Sequence, residues 1–235
     1  MPAFPGGSWV DTNATGRTTF PLTTLTVDIP ANDDGDLLLL LAWQGDPDET
    51  TLTLPAGFTE DARFTVNGEM SAVFAHRIAA SEPFTPYSVG FAGTSPQFVM
   101  VSSWADHSGI IDSVFLSGVG ATGTFGPGVA VGGAGWGVGP IRMDRPFRGT
   151  FAALYAVIDV GTGGDVGPGV PDPASGFNPA GGITTTGGPF MVGVESGGGL
   201  IYELVDVDPS IIGPYDFPIY GTDLGWVSGL WSLGP

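Results

Sequence analysis

Apolar and polar residues alternate with a period of two in the first readable segment, Thr18 to Ile29, where Leu25, Val27 and Ile29 are separated by polar positions. That is the signature of a half-buried strand. Asn32-Asp33-Asp34-Gly35-Asp36 then reads as a turn. The unbroken apolar run Leu37 to Trp43 behind it is too short for a helix with these flanks and predicts a central strand. A second acidic turn, Asp46 to Thr50, precedes the alternating Thr51-Leu52-Thr53-Leu54, and Pro55-Ala56-Gly57-Phe58 closes the unit. Further strands are predicted over Ser71 to Ile78, Tyr87 to Phe91 and Phe98 to Trp104.

The second half follows the first in outline. Gly149-Thr150 opens the run Phe151 to Ile158 much as Gly35-Asp36 opens Leu37 to Trp43. Ala174-Ser175-Gly176-Phe177 resembles Pro55-Ala56-Gly57-Phe58, Phe190 to Val194 stands where Ser71 to Ile78 stands, and Trp226 to Trp231 answers Phe98 to Trp104. The predicted fold is therefore all-β, a jelly-roll-like antiparallel β-sandwich forming one domain over 1–235. Pseudo-repeated halves at about 18–112 and 149–235 are joined by the glycine-rich 113–148. Within that joint, Ser117 to Pro140 reads as glycine-bearing strands and wide loops, with an extended arm that orders on a partner as the rival reading.

Composition narrows the function. The 40 glycines and 21 prolines among 235 residues are spread between apolar runs, as in a turn-rich β protein. The basic residues are Arg17, Arg63, Arg77, Arg142, Arg145 and Arg148, with no lysine, against 24 carboxylates, for a net charge of −18. Such a surface repels phosphate backbones and anionic lipid, so neither nucleic acid nor membrane is an expected partner. Without cysteine there is no disulfide, thiol nucleophile or thiolate zinc site. No apolar run approaches the about 20 residues of a membrane span. The N-terminus lacks the regions of a signal peptide, which makes lysis the expected route out of a cell.

Candidate chemistry is sparse. Gly118-Val119-Gly120-Ala121-Thr122-Gly123 fits a dinucleotide pattern, but Gly126-Pro127-Gly128 follows where a helix must start, so no cofactor is expected. Asn32, Asp33, Asp34 and Asp36 form an oxygen-rich loop, and Asp46, Asp48 and Glu49 lie at the other end of the same strand. A strand's length separates the two groups, so they cannot complete one calcium shell, and solvated turn carboxylates are the expectation. His76 and His107 are the only histidines. Asp106-His107-Ser108, with Ser103 nearby, invites a triad, yet no strained strand-to-helix elbow surrounds either serine, and no catalytic residue is assigned. Asp206 and Asp208 flank Val207 at strand spacing, which puts both on one face, a pattern that solvent exposure accounts for. The chain is thus read as no enzyme, with no metal.

The tryptophans divide. Trp43, Trp104 and Trp231 close apolar strands and are expected in the core, whereas Trp9 and Trp136 lie among glycines and are candidates for a contact surface. Arg142, Arg145 and Arg148 form the one basic cluster and are expected to meet carboxylates of a neighbouring subunit.

The residues, taken in order, resemble a β-sandwich domain recurrent in structural proteins of tailed bacteriophage virions. The resemblance rests on Gly35-Asp36-Leu37-Leu38 with its apolar run, the Leu54-Pro55-Ala56-Gly57-Phe58-Thr59 turn, and Phe74-Ala75-His76-Arg77-Ile78-Ala79 before Ser81-Glu82-Pro83. It continues through Val99 to Trp104, Ile110-Ile111-Asp112 and the ending Trp231-Ser232-Leu233-Gly234-Pro235. It covers the first half well and the second thinly, and the short, glycine-heavy middle and missing shaft depart from a fibre. The resemblance implies a virion location and a surface subunit, either capsid decoration or head spike or a minor tail protein. Such a subunit would be homo-oligomeric, would contact other capsid or tail subunits, and would be open to host-surface glycan. A carbohydrate-binding module is the alternative, followed by a glycan-cleaving enzyme, which needs a carboxylate pair in a cleft.

Overall fold

The computed structural model describes residues 8–17, 20–45, 51–66, 70–80, 86–93, 97–120, 136–142, 150–159, 184–185, 192–194, 197–205, 214–219 and 224–234. All regular structure among them is β. The strands are β1 (Ser8–Arg17), β2 (Thr24–Val27), β3 (Leu37–Gln44), β4 (Thr59–Val66), β5 (Met70–Ile78), β6 (Tyr87–Gly90), β7 (Gln97–Ala105) and β8 (Ile110–Gly120). They continue as β9 (Trp136–Arg142), β10 (Thr150–Asp159), β11 (Thr184–Thr185), β12 (Val192–Val194), β13 (Gly197–Val205), β14 (Pro214–Ile219) and β15 (Leu224–Leu233). Every pairing is antiparallel.

One sheet runs β1-β7-β3-β5-β4 and another β11-β13-β10-β15-β8, with β12 also on β13; β2-β6 and β14-β9 form two-stranded layers. The expected all-β sandwich is the observed architecture. β3 is buried at every position because its sheet is covered on both faces. Leu37, Leu39, Leu41 and Trp43 enter one core with Phe74, Phe98, Met100 and Trp104, and this core is closed by Val227, Trp231 and Leu233 of β15. Leu38, Leu40 and Ala42 enter a second core, closed by Leu25 and Val27 of β2 and Val89 of β6. The continuous apolar run thus reflects two alternating faces, each with its own cover.

The predicted strand over Thr18 to Ile29 contracts to β2, and Thr51 to Leu54 contributes a single bridge, Thr53 to Gly90, in place of a strand. Two edge strands, β1 and β4, were not foreseen. Their sequences, SWVDTNATGR and TEDARFTV, carry charges and few apolar residues, as an edge protected from further pairing should. The glycine-rich stretch read as strands and wide loops carries β8 and β9.

Two buried glutamines fix one end of the first sheet. Gln44 and Gln97 stand opposite each other in the β3–β7 register. Gln97 Oε1 accepts from Leu22 N at 3.0 Å while its Nε2 donates to Leu22 O. Gln44 Nε2 donates to Thr51 Oγ1 at 2.6 Å and its Oε1 accepts from Ala92 N at 3.1 Å. Each side chain acts as a backbone surrogate, holding loops the ladder does not reach. Gln97→Leu, of similar bulk, is expected to lower unfolding free energy by about 1–3 kcal/mol, because Leu22 loses both partners. Urea melts would read this, and protease nicking near Leu22 should rise in parallel.

Candidate functional site

Two polar clusters occupy the described part of the fold. The first lies where the 33–36 turn meets the loop after β7. Gly35 has φ +96°, a left-handed conformation suited to glycine, and lets the turn double back so that Gly35 N donates to Ala79 O and Ala79 N to Asp36 O. Asp36 is buried by this geometry. Its Oδ2 accepts from Asp33 N at 2.8 Å and is approached by Ser103 Oγ at 3.4 Å. The expected solvated turn carboxylates are corrected at this residue: Asp36 faces inward and closes its own turn, while Asp33 and Asp34 remain exposed. Among the described residues, no group of three or more His, Asp or Glu side chains is placed to hold a metal ion.

His107 borders this cluster. Ser103, wholly buried, directs its hydroxyl to Asp36, and neither ring nitrogen of His107 has a hydrogen-bond partner. The Ser-to-His link that a triad requires is not made. The adjacent Ser108 serves the backbone: its N donates to Gly234 O, and Gly234 N to Gly109 O, which ties the β7–β8 loop to the chain end after β15.

Burial pushes the His107 imidazole below its ordinary value of 6.5, against the opposing pull of the Asp36 and Asp106 carboxylates. The folded state therefore binds the proton less readily than the unfolded chain. Stability contributed by neutral His107 is present above pH 6.5 and is lost as the pH falls through that value toward the lowered one. His107→Gln is expected to flatten the stability profile below neutrality. Urea midpoints of both proteins between pH 7.5 and pH 5 would check it, the difference between them narrowing or reversing at acid pH.

The second cluster bridges the two large sheets. Asp61 is the residue skipped between the Glu60–Ala75 and Ala62–Phe74 pairs, a bulge in the edge strand β4. A bulge re-aims a side chain. Here Asp61 Oδ1 meets His76 Nδ1 of β5 at 2.7 Å, and Oδ2 accepts from Trp231 Nε1 of β15 at 3.1 Å. Trp231 is fully buried and belongs to an aromatic group with Phe64, Phe74 and Phe115, at centroid separations of 5.1–6.2 Å. One carboxylate thus ties the first sheet to the second beside this aromatic group.

Two arginines are used in the same way. Arg63 Nη1 donates to Leu52 O at 3.0 Å, and Arg77 Nη1 donates to Ala56 O at 3.0 Å with its guanidinium 5.8 Å from the centre of the Tyr87 ring. They hold the 51–58 segment onto the sheet. The Arg63–Glu60 ion pair at 2.7 Å is exposed and adds little.

The residues singled out as a contact surface are not gathered by the described structure. Trp9 lies in the edge strand β1, opposite Trp104 in register. Trp136 and Arg142 are the first and last residues of β9, opposite Ile219 and Pro214. A seven-residue strand separates its ends by about 20 Å, so these two do not share one contact point on it. Arg145 and Arg148 lie outside the described residues, as do Asp46, Asp48, Glu49, Asp206 and Asp208. Trp43, Trp104 and Trp231 are fully buried, as their positions at the ends of apolar runs predict. What the sequence reading missed is the Asp61–His76–Trp231 link, for which the charged sequence of β4 gives no local sign.

No family model matches the chain, and no curated protein matches it. Among solved structures, one of Cucumber Leaf Spot Virus aligns with a TM-score of 0.28 and 15% identity, covering 99% of this chain and 72% of that one. The crystal structure of the STIV MCP aligns with a TM-score of 0.20 and 9% identity, covering 96% and 97%. Both solved structures come from comparisons far below 25% identity and below a TM-score of 0.5, and no residue role passes from them to this chain.

Proposed function

We propose that the protein is a structural component of a bacteriophage virion, a surface subunit of the capsid-decoration, head-spike or minor-tail kind that acts by assembly and host-surface contact. The observation that carries this reading is where the polar chemistry goes. Asp36, Asp61, Gln44, Gln97, Ser103 and two arginines are spent on tying turns, loops and sheets together. What results is a stiff platform, and with a net charge of −18 it meets partners through its surface.

The phage assignment is supported by the ordered motif resemblance of the first half. Under this reading Arg142, Arg145 and Arg148 meet carboxylates of a neighbouring subunit, screened or neutralised contacts being what so acidic a protein needs to self-associate. Trp9 and Trp136 are the aromatic candidates for contact with other virion proteins or glycan.

Immunogold electron microscopy of particles from the lysate encoding this chain, with antibody to the purified protein, tests the proposal. Gold over capsid faces or vertices makes it a head-surface subunit, and gold at the tail an adsorption protein. Particles that carry no label refute the virion reading. A glycan array with the purified protein then separates a soluble carbohydrate-binding module, which selects a narrow set of glycans, from a protein that binds none.

A further inference from the structure

The pairings of β1 to β7 recur among β8 to β15. β1 pairs with β7, and β8 with β15. β3 lies between β7 and β5, and β10 between β15 and β13. β4 borders β5, and the short β11 and β12 border β13; β2 pairs with β6, and β9 with β14. The order along the chain is the same in both series. β2 also lies against β1 and β7, as β9 lies against β8 and β15.

The registers agree in detail. β1 is bulged at Val10, between the pairs Trp9–Trp104 and Asp11–Ser103. β8 is bulged at Ile111, between the pairs Ile110–Leu233 and Asp112–Ser232. Superposing the bulges sets Trp9-Val10-Asp11-Thr12 on Ile110-Ile111-Asp112-Ser113, in both cases two apolar residues, an aspartate and a hydroxyl. The same superposition carries Phe98, Met100 and Trp104 of β7 onto Val227, Gly229 and Leu233 of β15. Those are the positions at which each strand faces the shared core. Ala14 and Phe115, equivalent in the same register, also both pack against it.

Part of the contact across that core is exchanged: β4 meets β8, β1 meets β12, and β3 meets β10, while β15 packs on β4 and β5 more closely than β7 does on β12 and β13. A two-fold axis that swaps the two series turns the first contact into the second and maps the third onto itself, which is the mark of an isologous interface. Unrelated antiparallel strands packed into a sandwich have no reason to repeat order, bulge position, facing parity and reciprocal contacts together.

We infer that the chain is a fused dimer, in which residues 8–105 and 110–233 are two copies of one structural unit. The inner face of the first sheet is a self-complementary docking surface, and its partner is the second copy, supplied by the same polypeptide. The junction is the tight 106–109 turn. β8 and β9, which the glycine-rich 113–148 carries, belong to the second unit. Within each unit the first strand lies beside the last, and the third lies between the last and the strand that pairs with β4 in the first unit and with β11 and β12 in the second, an interleaving that supports jelly-roll-like connectivity. By the same axis β9–β14 covers the outer face of the second sheet as β2–β6 covers that of the first. This inference stands independently of the virion reading.

The chain has no cysteine, so spin labels can be attached in pairs without background. Ile78 on β5 and Ser113 on β8 form one pair, for which the axis gives Val205 on β13 and Thr12 on β1 as the equivalent. Pulsed electron paramagnetic resonance on the two double-cysteine variants of the full chain is expected to return most probable distances that agree within one interstrand spacing, about 4.8 Å. A larger difference overturns the inference. Should a labelled variant lose its near-ultraviolet circular dichroism, the pairs Thr65 with Ser117 and Gly193 with Gly16 make the same comparison under the same criterion.

Discussion

Gly229→Ala lowers the unfolding free energy by about 1–3 kcal/mol, and Gly229→Val by more, although both replace the least favoured strand residue with better strand formers. The reason is a close approach. A Cβ at this position would lie 2.8 Å from Phe74 Cδ1 and 2.9 Å from Phe115 Cδ1, well inside contact distance. Phe115 is the cross-strand neighbour of Gly229, while Phe74 reaches it from the other sheet. The two rings are themselves 5.4 Å apart between centroids and have Phe64 and Trp231 around them, so neither can swing aside freely. Trimming a ring should recover part of the loss: Gly229→Ala with Phe115→Leu is expected to be more stable than the sum of the single changes predicts. Urea denaturation of the four proteins in that cycle reads the coupling, and strict additivity would show that the added methyl is not seated between these rings.

Side chains that meet between the sheets come from both ends of the chain, which decides how much of this fold could be read in advance. β3, β5, β7, β10 and β15 announce themselves as apolar runs. The structure places them inside their sheets, where both neighbours and, for β3 and β7, both faces exclude water. β1 and β4 end the first sheet and carry charged and polar sequence. Period-two patterning is weakest at an edge, where one flank of the strand must stay unattractive to further strands.

The polar groups were harder to place. Asp36 reads as one more carboxylate of an acidic turn; only the folded chain brings Ser103, distant in sequence, to its side. Gln97 precedes an apolar run and offers no sign that it will bond to Leu22. Asp61 lies next to Glu60 and is indistinguishable from it by composition, yet Glu60 pairs with Arg63 at the surface while Asp61 turns inward. The difference is the bulge, and register shifts of this kind depend on the partner strand and not on the residue itself. Trp9 and Trp136 stood out in the sequence as aromatic residues among glycines, and Arg142 as part of the one basic cluster. Their strand and register are now fixed, and they stand on two different sheets.

Trp231→Ala is the substitution expected to cost the most, about 3–5 kcal/mol from packing alone. Trp231 is fully buried, meets Phe74 and Phe115 edge to face, and belongs to the strand that closes the first sheet's inner core. The indole also donates to Asp61, so removing it leaves a carboxylate at the sheet interface with His76 as its remaining partner in this network. Packing and hydrogen bonding can be separated. Trp231→Phe keeps most of the ring but not the donor and is expected to cost about 1–3 kcal/mol. Asp61→Ala removes the acceptor and frees both the indole N–H and the imidazole. In the double-mutant cycle of Trp231→Phe with Asp61→Ala, a coupling of about 0.5–3 kcal/mol is expected if the carboxylate ties the sheets through the indole. Near-zero coupling would mean that solvent or His76 already satisfies Asp61, and that apolar packing alone holds β15 against β4 and β5.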